Sequence, residues 1–374
     1  MTATDTGSAI DLSINKDRLS RAQAELARQG VDYLLVGISS DLFYLFGYEG
    51  HASERLTMLV LPRSGAAAVV VPKLESPLLR SREALAGLLV WEETEAPTAL
   101  VACHIGDAVG KTIAVNDHLY SSFLLKLQDA IPGASWISAN DTLKPLRMIK
   151  DAREVELLLE AGRRTDVAWE EFIASPLSGL TETQAMERLV ALTRAQGLDI
   201  GFGICASGPN AASPHHHSGD RVIKHGDSVV FDWGGTLEGY TSDVTRTVHV
   251  GEPDEEFRRV YATVLAANQA ALDAVKPGVA CQEVDRAART LISDAGYGNA
   301  FLHRLGHGLG LDVHEEPYLV EGNTMPLAAG MVFSDEPGIY LAGRLGVRIE
   351  DAVVCTETGG MRLNEATREL VVVG

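Results

Sequence analysis

Cysteine is scarce and scattered: Cys103, Cys205, Cys281 and Cys355 are the only four in 374 residues, and no two form a Cys-x-x-Cys pair. That spacing excludes a structural zinc site of the cysteine type and offers no disulfide framework. Long apolar runs are missing too. Although 46% of the residues are apolar, no segment approaches the ~18 uninterrupted apolar positions of a membrane-spanning helix. Positive charge is in deficit. The 32 basic side chains against 51 acidic ones leave a formal charge of −19, a field that repels a phosphate backbone and an anionic membrane surface alike. Neither nucleic acid nor membrane is therefore expected as a partner. The opening stretch, MTATDTGSAIDLSINKDR, has no basic segment followed by an apolar one. The expectation is a reduced, cytoplasmic protein.

What is present suits two domains. The first ~15 residues read as a polar, mobile arm. A helix fits Lys16 to Gln29, with Leu19, Ala22 and Leu26 on one face and Gly30 as its stop. Short Val/Leu/Ile-rich runs at Tyr33–Val36, Leu56–Leu61, Ala67–Val71 and Thr112–Val115 predict strands. This α/β half, residues 1–145 with a mixed sheet, clusters few acids, histidines or cysteines and reads as a scaffold. Residues 146–374 read as an α+β domain in which one order of elements occurs twice. A helix opening at Asp151 (with Glu154 in capping position), a helix opening at Thr181 (with Gln184) and strands to Val250 form one round. Helices from Asp254 and Gln282, then strands to Val373, form the next. Two copies imply an internal pseudo-two-fold, and a site between the halves would draw residues from both.

The chemistry-bearing residues lie in this second half. Val229-Val-Phe-Asp232-Trp-Gly-Gly-Thr-Leu-Glu-Gly-Tyr240-Thr-Ser-Asp243 reads as strand, turn, strand. With the turn centred on Leu237 and Glu238, Asp232 and Asp243 face each other, and two like charges so placed require a cation between them. Downstream, His303 and His307 are four apart, as in a helical zinc pair. Arg304 stands where that motif needs Glu, and Gly306, Gly308 and Gly310 oppose a helix. Glycines flanking His307 instead permit close approach of backbone or ligand. His303 alone reads as an ordinary hydrogen-bonded residue. Glu336 and Glu350 occupy apolar settings, and strand alternation puts Arg348 and Glu350 on one face, with Asp351 turned away. Four carboxylates and one imidazole suit hard or borderline divalent ions.

Asp232, Asp243, His307, Glu336 and Glu350, with His215 upstream and His314 downstream, resemble the pita-bread metallopeptidases: Xaa-Pro aminopeptidases, prolidases and methionine aminopeptidases. The N-terminal half is similar to the creatinase-type domain of the proline-specific branch. The resemblance implies two divalent ions, Mn²⁺ first with Co²⁺, Fe²⁺ or Zn²⁺ as alternatives. Asp243, Glu350 and one oxygen of Asp232 would hold one ion, with Glu336 and His307 on the other and Asp232 and Glu350 bridging. It further implies Glu336 as proton shuttle, His215 and His314 as donors to the substrate carbonyl, and Arg348 as organiser of the carboxylates. Tyr240 and Thr245 would support the ligands. A spacing of 17 residues before Asp232 selects His215, leaving His216 and His217 incidental. The implied reaction is hydrolysis of the bond between an N-terminal residue and proline in a small peptide, by a homodimer. The alternatives are a pita-bread hydrolase or lyase acting on a small non-peptide substrate, and a pure binding domain, in which an intact ligand set has no use. One departure concerns substrate length: many prolidases of the family carry Arg four residues after the second histidine, where this chain has Tyr318. Without that cation the expectation leans towards Xaa-Pro-Yaa peptides.

Overall fold

The computed structural model describes residues 11–374, which divide into two compact units, one ending at Arg147 and the other beginning at Met148. Up to residue 10 the expected polar arm lies outside the described residues. Beyond it the chain turns helical earlier than apolar spacing suggested, at Ser13. The reason is local: Asp11 Oδ1 accepts the Ser13 N–H at 2.9 Å, satisfying a first-turn donor.

The first unit is a six-stranded mixed sheet ordered Ala86–Trp91, Ala67–Pro72, Met58–Pro62, Tyr33–Gly37, Thr112–Val115, Ser135–Ser138. Tyr33–Gly37 runs antiparallel to Met58–Pro62 and parallel to Thr112–Val115. Its central strands are buried along almost their whole length, which is why they read as unbroken aliphatic runs without alternation.

In the second unit the expected repetition is present. Helices Ala152–Ile173 and Glu182–Ala195 precede a sheet ordered Val371–Val373, Val244–Val250, Ser228–Leu237, Asp199–Ser207. Helices Glu255–Ala274 and Cys281–Asp294 precede a second sheet ordered Glu315–Leu319, Gly306–Gly308, Val332–Asp335, Asp351–Cys355, Gly360–Arg362. Asp151 with Glu154 and Thr181 with Gln184 each close a reciprocal capping box. Helix Ala152–Ile173 lays Trp169 and Phe172 on the first sheet, where Trp169 stacks on Trp233 with ring centroids 5.0 Å apart. The sheets meet at one antiparallel bridge, Thr245 to Glu350. Acids at the ends of both sheets are gathered around that seam. Among the described residues, no helix is long and apolar enough to cross a membrane.

Two details differ from the expectation. The hairpin turns at Glu238-Gly239, both at positive φ (48° and 88°), one residue later than the pattern placed it. Asp232 therefore pairs with Thr245, and Asp243 falls in the break between Tyr240–Thr241 and Val244–Val250. Arg348 and Glu350 do not share one strand either: Leu345–Arg348 pairs with Gly338–Leu341, whereas Asp351–Cys355 pairs with Val332–Asp335. Glu350 stands in the gap between them, where its backbone N–H goes to Thr245 O at 3.1 Å.

Candidate active site

Strands and the breaks between them deliver the acidic and imidazole groups. Asp232 projects from the middle of Ser228–Leu237 and Asp243 from the break beside it, while Glu336 follows Val332–Asp335 directly and Glu350 fills the gap before Asp351–Cys355. His307 is the central residue of Gly306–Gly308, a strand and not a helix. Its neighbours have to be glycine: a Cβ on Gly306 would lie 1.9 Å from Ser334 O, and one on Gly308 2.2 Å from Glu316 O. Together with His215, His314 and Arg348 these five line a cavity of about 830 Å³.

Within it Asp243, His307 and Glu350 each offer a ligand atom, all within 4.8 Å of one another. His307 Nε2 lies 3.3 Å from Glu336 Oε1 and 3.7 Å from Asp243 Oδ2. The tautomer is dictated by the backbone. His307 Nδ1 faces Gly308 O at 3.1 Å, and a carbonyl only accepts, so Nδ1 carries the proton and Nε2 presents its lone pair to the acids. Burial pushes the His307 pKa down to about 3, helped by neighbouring His314, whose ring centroid is 3.8 Å away.

The carboxyls show the opposite strain. Burial, then the charge of Asp232, drives Asp243 well above the usual carboxylate range. Burial and then Asp243 do the same to Glu350. Burial, opposed by Arg348 and reinforced by Asp232, pushes Glu336 up to about 7. Asp232 Oδ1 and Asp243 Oδ1 are buried without a hydrogen-bond partner among the described residues. Buried acids with orphaned oxygens are expensive unless positive charge neutralises them. An oxygen-rich set with one imidazole fits divalent cations, and hard or borderline ones over sulfur-loving ones.

Positive charge from the protein comes only partway. Arg348 Nη2 donates to Asp232 Oδ2 at 2.6 Å, its Nη1 to the Tyr340 hydroxyl at 2.9 Å and its Nε to Thr245 Oγ1 at 3.1 Å. Thr245 in turn donates to Glu350 Oε2 at 2.6 Å. One guanidinium thus braces two acids from behind. Burial opposes its charge, but Tyr340 and the facing acids hold its pKa above the ordinary arginine value.

Three sequence readings change here. His303, taken as an ordinary loop histidine, lines the cavity: its Nδ1 donates to Arg304 O at 2.7 Å and its Nε2 accepts from the Tyr340 hydroxyl at 2.8 Å. Tyr240, expected beside the ligands, donates instead to Glu154 Oε1 at 2.6 Å. His216, taken as incidental, contacts the buried Glu182 at 2.8 Å. A fourth feature bears on Tyr318. That position carries no charge itself, yet the Arg304 guanidinium lies over its ring, 4.3 Å from the centroid, and lines the cavity. Pattern reading missed Arg304 because it was weighed only as the wrong residue in a zinc motif. Tyr340 was missed because an uncharged aromatic beside Pro-Gly carries no chemical signature.

The model described as "Metallopeptidase family M24" matches residues 156–357, and that of the "Creatinase/Prolidase N-terminal domain" matches residues 18–149. The chain is 42% identical over 369 residues to a "Probable dipeptidase PepE" of Mycobacterium tuberculosis, covering 97% of this chain and 98% of that protein. The crystal structure of dipeptidase PepE from Mycobacterium ulcerans superposes with a TM-score of 0.93 at 42% identity, covering 98% of this chain and all of the other. A recombinant prolidase from Thermococcus sibiricus does so with a TM-score of 0.92 at 38% identity, again over 98% of this chain.

Proposed function

The chain belongs to metallopeptidase family M24, and from that membership we propose that it hydrolyses Xaa-Pro dipeptides at a centre of two divalent ions, Mn²⁺ foremost. That it is a metallopeptidase acting on peptides follows from the family and from relatives named dipeptidase and prolidase. The observation that carries the finer reading is the convergence of Asp232, Asp243, His307, Glu336 and Glu350 in one buried cavity, two of their oxygens having no partner among the described residues. These five would hold the ions, which when bound supply Lewis acidity towards the scissile carbonyl and lower the pKa of water.

The protein's own residues do the rest. Arg348 and Thr245 hold Asp232 and Glu350 in place by three hydrogen bonds, so the carboxylates need not reorganise when substrate arrives. Glu336, 3.3 Å from His307 and with its pKa pushed up to about 7, would take a proton from water and pass it to the leaving nitrogen. His215 and His314 line the cavity wall, and on this reading they would donate N–H groups to the carbonyl oxygen as it becomes negative. Proline removes the amide hydrogen at the scissile bond, so the site has no donor there to satisfy and must accept the ring. Phe202, Ile204 and Val313 give the cavity an apolar wall for it. The free carboxylate of a dipeptide would meet Arg304. On this reading the leaning towards longer peptides gives way to a dipeptide, with Arg304, whose guanidinium lies over the Tyr318 ring, standing in for the cation missing at that position.

Removing metal with a chelator should abolish cleavage of an Xaa-Pro dipeptide, and added Mn²⁺ should restore it, while a non-proline dipeptide is cut at least tenfold more slowly. Asp243→Ala should lower bound metal together with turnover. His314→Ala should keep its metal and lose ~10²-fold in kcat, the scale of a missing transition-state donor. Full activity in verified metal-free protein would sink the proposal.

A further inference from the structure

Outside the metal cluster, Glu182, the first residue of helix Glu182–Ala195, is a fully buried carboxylate far along the sequence from every ligand. Burying such a group is costly unless its oxygens are filled. They are filled from one place. Oε1 accepts from Ser207 N at 2.8 Å, Ser207 Oγ at 2.7 Å and Asn210 Nδ2 at 3.0 Å. Oε2 takes His216 Nε2 at 2.8 Å and Gly219 N at 3.2 Å. Burial alone would raise its pKa, but the bonds from Asn210, His216 and Ser207 outweigh it and keep the group ionised. An ionised carboxylate only accepts, so His216 must present an N–H there.

The two oxygens therefore clamp the two ends of one segment, residues 207–210 on one side and 216–219 on the other. Midway between them stand Pro214 and His215, which line the active cavity. Among the described residues none hydrogen-bonds the His215 ring, and His215 is exposed and lines the cavity. Its aim is set by the backbone, which the clamp holds at both ends, while His216 N bonds Ser213 O at 3.1 Å and Arg348 Nη1 reaches Pro214 O at 3.5 Å between them. Helix Glu182–Ala195 adds main-chain ties of its own: Glu182 N to Arg221 O at 3.0 Å and Thr183 N to Gly219 O at 3.1 Å.

We propose that Glu182 is the positioning residue for His215, acting through Ser207, Asn210 and His216 to hold the loop that carries it. The proposal rests on the reading of His215 as a group that meets substrate. Neither Glu182 nor His216 touches the metal ligands, so their loss should leave the ions in place and spoil only the presentation of His215. Glu182→Gln keeps the shape but turns one acceptor oxygen into an amide that faces donors. His216→Asn removes one bond of the five and leaves the helix cap intact.

Four Mn²⁺-loaded proteins decide the matter: Glu182→Gln, His216→Asn, His215→Ala, and the double variant Glu182→Gln/His215→Ala. Hydrolysis of Ala-Pro, bound manganese and backbone hydrogen exchange are measured for each, with His217→Ala as a control. Glu182→Gln should lose ten- to a hundredfold in kcat/KM with a full metal complement, and its amides from 208 to 219 should exchange at least tenfold faster. His216→Asn should do the same more weakly. In the His215→Ala background Glu182→Gln should cost less than twofold, because a residue that works only through His215 has nothing left to position. Losses that add in the double variant, loss of manganese, or unchanged exchange across 208–219 would each overturn the proposal. Should Glu182→Gln fail to fold, His216→Asn decides alone on the same criteria. If the unaltered protein does not cleave Ala-Pro, the functional reading falls, whereas the exchange measurement still judges the hold of Glu182 on its loop.

Discussion

Arg304 is a guanidinium at the wall of a cavity otherwise crowded with acids, and among the described residues no carboxylate is paired with it in an ion pair. Stacking on Tyr318 holds its plane without consuming its donors. A planar fork with free N–H groups is built for a carboxylate, and the proposed dipeptide substrate would bring one within a residue of the scissile bond. Hydrogen bonds to charged groups are worth about 1.5–3 kcal/mol, so Arg304→Gln should lower kcat/KM for a free dipeptide by roughly ten- to a hundredfold. The C-terminal amide of the same peptide should suffer far less, having no charge to lose. Paired measurements on the two substrates check this, and an equal loss on both would assign Arg304 a purely architectural role. Tyr318→Phe should change little, since its ring and not its hydroxyl supports the guanidinium.

Strands position what those residues do, and here the sequence was legible to different depths. The repeated helix–helix–sheet order and both capping boxes could be read from local spacing, because caps and amphipathic periods are short-range signals. The five candidate ligands and His215, His314 and Arg348 all line one cavity, whereas Tyr240 bonds to Glu154. The hairpin register could not be read, because Gly234, Gly235 and Gly239 make several turn positions equally plausible on paper. Tertiary packing decides among them: Ser242 O lies 2.1 Å from where a Cβ on Gly234 would stand. Nor could the Glu182 clamp be read, since its partners are 25 to 37 residues away. The same packing logic makes a prediction for the strand Gly306–Gly308. A methyl group at Gly306 collides with Ser334 O, and Ser334 Oγ is also the acceptor of the His307 N–H at 3.0 Å. Gly306→Ala should therefore cost roughly 1–3 kcal/mol of stability, as overpacked sites do, and weaken manganese binding by tilting His307. Gly87→Ala, with nothing within 4 Å of the added carbon, should leave the melting temperature and the metal nearly unchanged. Calorimetry with a chelator-competition titration separates the two variants.

At the scale of the whole molecule the acids couple folding to metal and pH. Asp243, Glu336 and Glu350 all have pKa values raised by burial and by acidic neighbours, with Arg348 opposing the rise, Glu336 up to about 7. A carboxyl whose folded pKa exceeds its unfolded one costs nothing below the unfolded value, near pH 4, and costs progressively more as pH climbs to the folded value. Metal-free protein should accordingly lose stability as pH rises from about 4.5 through 7, in the reverse sense to the usual salt-bridged acid. Bound cations remove the penalty, because the ionised carboxylates then have charge to answer them and competition with protons eases as pH rises. Both forms share every titration distant from the site, so the difference between their melting curves isolates it. That difference should widen steadily over the same interval. A cost of ~2 kcal/mol already moves the midpoint of a domain of this size by roughly 5 °C. Asp243→Asn supplies the internal check, because an amide at that position has no proton to lose and relieves its neighbours of one charge. Its metal-free melting temperature should vary less with pH than that of the parent, even though it binds manganese poorly. Parallel curves for the metal-free and loaded parent protein would show that these acids do not carry the charge burden their burial implies.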